Sequence, residues 1–251
     1  MEKLSFAKEL VYETADFIRE KMKEGLDIDT KKNDHDFVTN VDKGAESYLI
    51  NKINATYKDQ DFVTEEKMIE TKGLKDTWII DPIDGTMNFI YLKKDFAISL
   101  AYYEDKKPVF GIVYDVVADE MFVGIHGQGA YLNEKALKPL DPTTQLSEAI
   151  INADTKTFLS FKVNPIEKIM SQRYVGSAAI EICAVAANRS NAYISRRLNP
   201  WDIAAGVIIL QEVGGTWLYG DLEDEIYTED KQGYFIGCGN QIIKESLLAY
   251  R

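Results

Sequence analysis

Residues Trp78 to Phe89 read WIIDPIDGTMNF, an apolar run that gives way at once to Asp81, Pro82, Ile83, Asp84, Gly85 and Thr86. A plain structural reading takes Trp78–Ile80 as a buried strand and treats Asp-Pro and Asp-Gly as turn dipeptides that end it. That explains Pro82 and Gly85, but not why Ile83 stands between two acids or why Thr86 follows. A cation site explains more: hard carboxylate oxygens would converge from a sharp turn, beside a helix start suited to an anion. This stretch alone leaves both readings open.

Composition narrows the field. A chain of 251 residues suits one large domain or two intimately joined ones. Its net charge of -12 leaves no excess of Lys and Arg to displace counterions, which argues against nucleic acid as a partner. If the ligand is itself an anion, an acidic protein needs a local reversal of field, and bound divalent cations supply one. The apolar run ending at Leu210 is far too short to cross a bilayer. Glu2, Lys3, Lys8 and Glu9 interrupt what would be the core of a secretory signal, so a cytoplasmic protein is expected. Cys183 and Cys238 show no CxxC spacing, and His35 and His126 stand in no motif, so disulfide, zinc and Ser-His-Asp readings are weak.

Leu4, Ala7, Val11, Ala15, Ile18 and Met22 recur at helical spacing, with Gly25 as a natural stop. A second helix follows FVTNVD, carried by Val41, Ala45, Tyr48, Leu49 and Ile53, with Asp42 in its first turn. A short strand at Asp61–Thr64 precedes Glu65 and Glu66. Beyond Phe89, alternating apolar and polar residues with turn signals at Glu104–Pro108 and Ala118–Glu120 predict an antiparallel meander. After about Leu140 the pattern becomes strand (Ala149–Ala153), helix, strand, helix (Ser177–Asn188), strand (Ala192–Ser195) and helix (Trp201–Val213). Two α/β halves, 1–139 and 140–251, are expected to meet near Pro139–Pro142 as one catalytic unit.

Five acids sit at strand ends or helix starts beside apolar runs: Asp42, Glu65, Asp81, Asp84 and Asp202. Each has an ordinary explanation, as a helix-dipole partner, a solvated pair or a first-turn acid. Together with their surroundings they form DFVTNVD (Asp36–Asp42), VTEE (Val63–Glu66), WIIDPIDGTMNF and NPWDIAAGVIILQEVGG (Asn199–Gly215). These four blocks, in this order, resemble the signature blocks of the inositol monophosphatase family over almost the whole chain. The resemblance implies an α/β fold, a layered αβαβα sandwich like that of fructose-1,6-bisphosphatase. It also implies hydrolysis of phosphate monoesters with Mg²⁺ and water, sensitivity to lithium, and a homodimer.

Carried over by position, the resemblance implies that Glu65, Asp81 and the main-chain carbonyl of Ile83 hold one Mg²⁺, while Asp81, Asp84 and Asp202 hold a second. A third, more hydrated ion would lie near Glu65, with Lys31 nearby. Asp42 and Thr86 would orient and deprotonate the attacking water, with Glu65 contributing through its metal. The N–H groups of Gly85 and Thr86 would bind phosphate oxygens, and Gly176, Ser177 and Ala178 would line the substrate's ring side. The electrostatics agree: a phosphate dianion is repelled by four carboxylates unless two or three divalent ions neutralise them.

The chain departs from the family pattern at two places. Thr64 stands where many members have Gly, so the backbone just before Glu65 has less freedom. Ser195 stands seven residues before Asp202, where inositol-specific members commonly have Glu, and Arg196 and Arg197 follow it. Those arginines read either as a solvated basic turn or as a clamp for a distal phosphate. The expected substrate is a small phosphorylated metabolite. Inositol monophosphate is the default; fructose-1,6-bisphosphate, NADP(H) or a nucleotide is the alternative, since a shared metal core does not choose among them. A catalytically idle metal- or phosphate-binding regulator is the rival from another class.

Overall fold

The computed structural model describes residues 2–24, 28–30, 37–73, 75–220 and 232–251. In chain order its elements are α1 (Glu2–Glu24), β1 (Ile28–Thr30), β2 (Phe37–Thr39), α2 (Asn40–Thr56), β3 (Gln60–Thr64), β4 (Asp76–Asp84) and α3 (Thr86–Tyr91). The meander follows as β5 (Ala97–Glu104), β6 (Lys107–Asp115), β7 (Glu120–Ile125), β8 (Gly129–Leu132) and β9 (Lys135–Ala136). The remainder comprises β10 (Ile150–Asn152), α4 (Thr155–Leu159), β11 (Ser171–Arg173), α5 (Ala178–Ala186), β12 (Ala192–Leu198), α6 (Pro200–Gln211), β13 (Thr216–Tyr219), β14 (Gly233–Cys238) and α7 (Gln241–Tyr250).

The large sheet has the order β3-β4-β5-β6-β7-β8-β9, antiparallel except for the parallel β3–β4 pair. Because side chains alternate across a strand, this sheet feeds two cores. Trp78, Ile80, Leu100 and Ile112 meet Leu10, Val11 and Ile18 of α1 and Ala45, Leu49 and Ile53 of α2. Ile79, Ala101, Val113 and Phe122 face the other way, against Ile182 of α5 and Ala205, Ile208 and Ile209 of α6. Tyr193, Trp217, Tyr219 and Phe235 of the second sheet, ordered β11-β10-β12-β14-β13, close the opposite side of α5 and α6. Ile194, Ile236 and Cys238, on the second sheet's other face, pack with Phe158 of α4 and Ile243 and Leu247 of α7. The layers are therefore helix, sheet, helix, sheet, helix, as the resemblance implies.

The middle helix layer lies unusually close to the large sheet. A Cβ on Gly111 would stand 2.5 Å from the Ala205 carbonyl oxygen, and one on Gly124 would stand 2.7 Å from Ile209 Cα. Two strands thus give up their side chains so that the backbone of α6 can rest on them.

Two strands run on where the sequence pattern predicts a stop. β4 continues through Asp81 and Pro82 to Asp84, and β12 continues through Arg196 and Arg197 to Leu198, so the basic segment is a strand and not a turn. Each continuation contains a bulge: Asp81 and Asp84 pair with Ser99 and Ala97, and Ser195 and Leu198 pair with Phe235 and Gly233. Three residues advance against two, so a proline or a solvent-facing arginine fits without breaking the ladder. Strands β13 and β14 and helix α7 complete the second sheet and its cover in a region the sequence pattern left unassigned.

Candidate active site

The bulge in β4 answers the question raised by Asp81 and Asp84. On a regular strand, residues three apart face opposite sides. The extra residue at Pro82 turns both acids to the same side, where they meet Asp202 at the start of α6, with one oxygen of each lying within 4.8 Å of the others. Ile83 sends its side chain into the core beneath α1 and α2. Its backbone faces the site: its N–H donates to Asp81 Oδ1 at 2.9 Å, and its carbonyl accepts from Thr86 Oγ1 at 3.3 Å.

Helix starts hold the remaining groups. Asp202 is the third residue of α6 behind Pro200, and its Oδ2 accepts from the Asn199 N–H at 2.6 Å in a capping box. Asp42 occupies the same position in α2. Its Oδ2 accepts from the Thr39 N–H at 2.9 Å and from the Thr39 hydroxyl, and its Oδ1 lies 3.4 Å from Thr86 Oγ1. For both acids the ordinary helix-start explanation holds, and each also reaches further, Asp42 to Thr86 and Asp202 to the other two acids. Ser177 caps α5, and its hydroxyl donates to Asp84 Oδ2, which also accepts from the Ala179 N–H at 2.7 Å. The Ser177 proton is thus directed to an acid of the cluster, not to open solvent. Gly85 adopts φ +97°, and a Cβ there would stand 3.1 Å from Ser177 Cβ, so glycine is required by conformation and by contact.

These carboxylates are poorly solvated and repel one another. Burial, followed by the charges of Glu65, Asp84 and Asp202, pushes the Asp81 carboxyl well above its ordinary range. Burial raises Asp84 to about 6, opposed by its bonds from Ser177 and Ala179. Asp202 is raised well above its ordinary range by burial, then by Asp84 and Glu65. Glu65 also hydrogen-bonds Asp81. Buried carboxylates that oppose one another's ionisation and offer hard oxygen donors fit a divalent cation.

Two further acids were missed by sequence reasoning. Glu46 of α2 is fully buried; its Oε1 accepts from Thr64 Oγ1 and the Met68 N–H, and its Oε2 from the Glu66 N–H, each at 2.8 Å. Glu181 of α5, also fully buried, accepts from the Val175 N–H at 2.6 Å and the Gly176 N–H at 3.4 Å. The available signal was a charge on an apolar stripe: Glu46 shares a helix face with Leu49 and Ile53, and Glu181 stands alone in AAIEICAVA.

The other predicted residues are placed unevenly. Gly176 (φ +96°) and Ala178 flank Ser177. Ser195 lies on β12 and hydrogen-bonds Tyr193, whose buried hydroxyl also feels Glu181 and Asp84. Arg196, and not Arg197, lines a groove of about 510 Å³ with Asp154, Thr155, Lys156, Gln172 and Tyr174. Burial, then the charges of Asp154, Glu181 and Asp84, raises the Tyr174 hydroxyl above its ordinary range. Lys31 lies outside the described residues.

The model of the inositol monophosphatase family matches residues 1–250. This chain belongs to the inositol monophosphatase family. It is 42% identical over 252 residues to inositol-1-monophosphatase of Bacillus subtilis, covering 96% of this chain and 93% of the relative. It is 36% identical over 228 residues to Nus factor SuhB of Haemophilus influenzae, covering 87% and 84%. Among solved structures, an IMPase/NADP phosphatase complexed with Mg²⁺ and phosphate superposes with a TM-score of 0.89 at 25% identity, covering 99% of this chain and 94% of that one. Membership of this family makes the chain a phosphatase of phosphate monoesters and the acid cluster its candidate centre. No described helix is long and apolar enough to cross a membrane.

Proposed function

We propose that this member of the inositol monophosphatase family hydrolyses small phosphorylated metabolites with Mg²⁺ held by Glu65, Asp81, Asp84, Asp202 and the Ile83 carbonyl. The observation that carries this reading is the convergence of Asp81, Asp84 and Asp202 within 4.8 Å, the first two buried and the third partly so. When bound, two or three such ions would neutralise the incoming dianion, acidify water and stabilise the leaving alkoxide. The chain's own contribution is proton handling and orientation. Thr86 Oγ1 has one proton and two acceptors in reach, Asp42 Oδ1 at 3.4 Å and Ile83 O at 3.3 Å. When it donates to Asp42, its lone pairs are available to accept a proton from the attacking water. The capping box fixes Asp42 for that relay, while the N–H groups of Gly85 and Thr86 orient the phosphate.

Inositol monophosphate remains the default substrate, but the groove that Arg196 lines favours a broader range. Arg196 offers the groove a fork suited to a distal phosphate, and Ser195, its neighbour on β12, brings no charge. Doubly anionic substrates such as fructose-1,6-bisphosphate or NADP⁺ therefore rival inositol monophosphate in kcat/KM. A phosphate-release screen over inositol, sugar and nucleotide phosphates, with Mg²⁺ and with chelator, tests the reading. Release that vanishes with chelation supports it, and no release from any substrate would favour the idle regulator. Lithium should inhibit in an uncompetitive or mixed manner through Asp81, Asp84 and Asp202. A homodimer is expected by light scattering.

A further inference from the structure

We propose that Glu46 is a positioning residue for the metal ligand Glu65, and that Thr64 is its working partner in this chain. The proposal rests on the reading of Glu65 as a metal ligand. Glu65 leaves the end of β3 on a loop, where nothing in a sheet ladder fixes its direction. The carboxylate of Glu46 holds the chain on both sides of Glu65 from α2. It accepts from the Thr64 hydroxyl and the Glu66 N–H, the residues on either side of Glu65, and from the Met68 N–H two positions further on, each at 2.8 Å. Three donors reach two oxygens of one fully buried side chain. The loop therefore cannot rotate Glu65 away without leaving a buried carboxylate short of partners.

This geometry also accounts for the departure at Thr64. A residue with a hydroxyl adds a third bond to Glu46 that glycine has no atom to make, and Thr64 is itself buried at 5% exposure. Lost backbone freedom is exchanged for a loop tied by a side chain. Glu46 and Asp42 lie one helical turn apart on α2. The same helix thus positions the base of the water relay and the loop that carries the first metal ligand.

The test is Mn²⁺ binding to the metal-free protein, followed by the electron paramagnetic resonance signal of free Mn²⁺, alongside circular dichroism and steady-state kinetics. Glu46→Gln keeps the volume but replaces one acceptor oxygen with an amide donor, and Thr64→Val keeps the shape but removes the hydroxyl. Each should weaken Mn²⁺ binding by about tenfold or more, and Thr64→Ser should restore it to within about twofold. The Mg²⁺ concentration for half-maximal rate should rise in parallel, while KM for substrate at saturating Mg²⁺ stays near that of the unsubstituted enzyme. If Glu46→Gln fails to fold, Thr64→Val and Thr64→Ser decide alone. Folded variants that bind Mn²⁺ as the unsubstituted protein does would overturn the proposal. Asp81→Asn separates the two readings: if it too leaves Mn²⁺ binding intact, the metal centre itself is misassigned; if only it weakens binding, the positioning role alone fails.

Discussion

Asp84 combines two demands in one carboxylate. Its Oδ2 takes the Ser177 hydroxyl and the Ala179 N–H, while its charge belongs to the acid cluster. Asp84→Asn keeps the size and removes the charge, so turnover at saturating Mg²⁺ should fall by about two orders of magnitude or more with the circular dichroism spectrum unchanged. Near-normal turnover at limiting Mg²⁺ would sink the assignment. In the groove, Arg196→Ala should lower kcat/KM for fructose-1,6-bisphosphate roughly tenfold more than for inositol monophosphate, because only the former has a second phosphate for the guanidinium. Ser195→Glu should shift selectivity in the same direction by opposing that phosphate. Equal losses on both substrates for either variant would remove the groove from the specificity argument.

Elements with a strong period were legible, and those whose fate depends on a neighbour were not. Helices α1 and α2 emerge close to the limits their apolar stripes predict, and the meander follows its turn signals. Strand β4 is longer than its sequence suggests because Pro82 reads locally as a stop, and only pairing with β5 reveals the bulge that accommodates it. The same holds for Arg196 and Arg197 on β12. Candidate site acids could be found because they stand at element ends, whereas Glu46 and Glu181 lie within helices, Glu46 serving a loop distant in sequence and Glu181 the turn that leads into its own helix. Contact between α6 and the large sheet gives a further test. Gly111→Ala places a Cβ 2.5 Å from a backbone oxygen, which cannot step aside like a side-chain tip. Urea unfolding should show a loss of about 1–3 kcal/mol. A negligible loss would mean that the helix has slack against the sheet.

Across the whole molecule, the acid cluster ties stability to pH and metal. Folding raises the carboxyl of Asp84 from 3.8 to about 6, and raises Asp81 and Asp202 in the same direction. The native state therefore holds more protons than the unfolded chain between the two values. For these groups, metal-free stability is highest below the ordinary carboxylate range and falls as pH rises through about 6. In chelator, this component should lower Tm between about pH 5 and pH 8; added Mg²⁺ should raise Tm more at the higher pH, where the ligands are already ionised. Calorimetry across that range checks the sign, and a larger Mg²⁺ effect at the lower pH would contradict it. Two acids of the cluster ride on the large sheet and the third on α6, so the gap between those layers sets how far apart the acids stand. The bare backbones at Gly111 and Gly124 hold that gap at its minimum, so on the proposed metal reading layer spacing would gauge ionic radius. On that reading, prising α6 outward should weaken binding of small Mg²⁺ relative to larger Ca²⁺, a change of selectivity made without touching a proposed ligand.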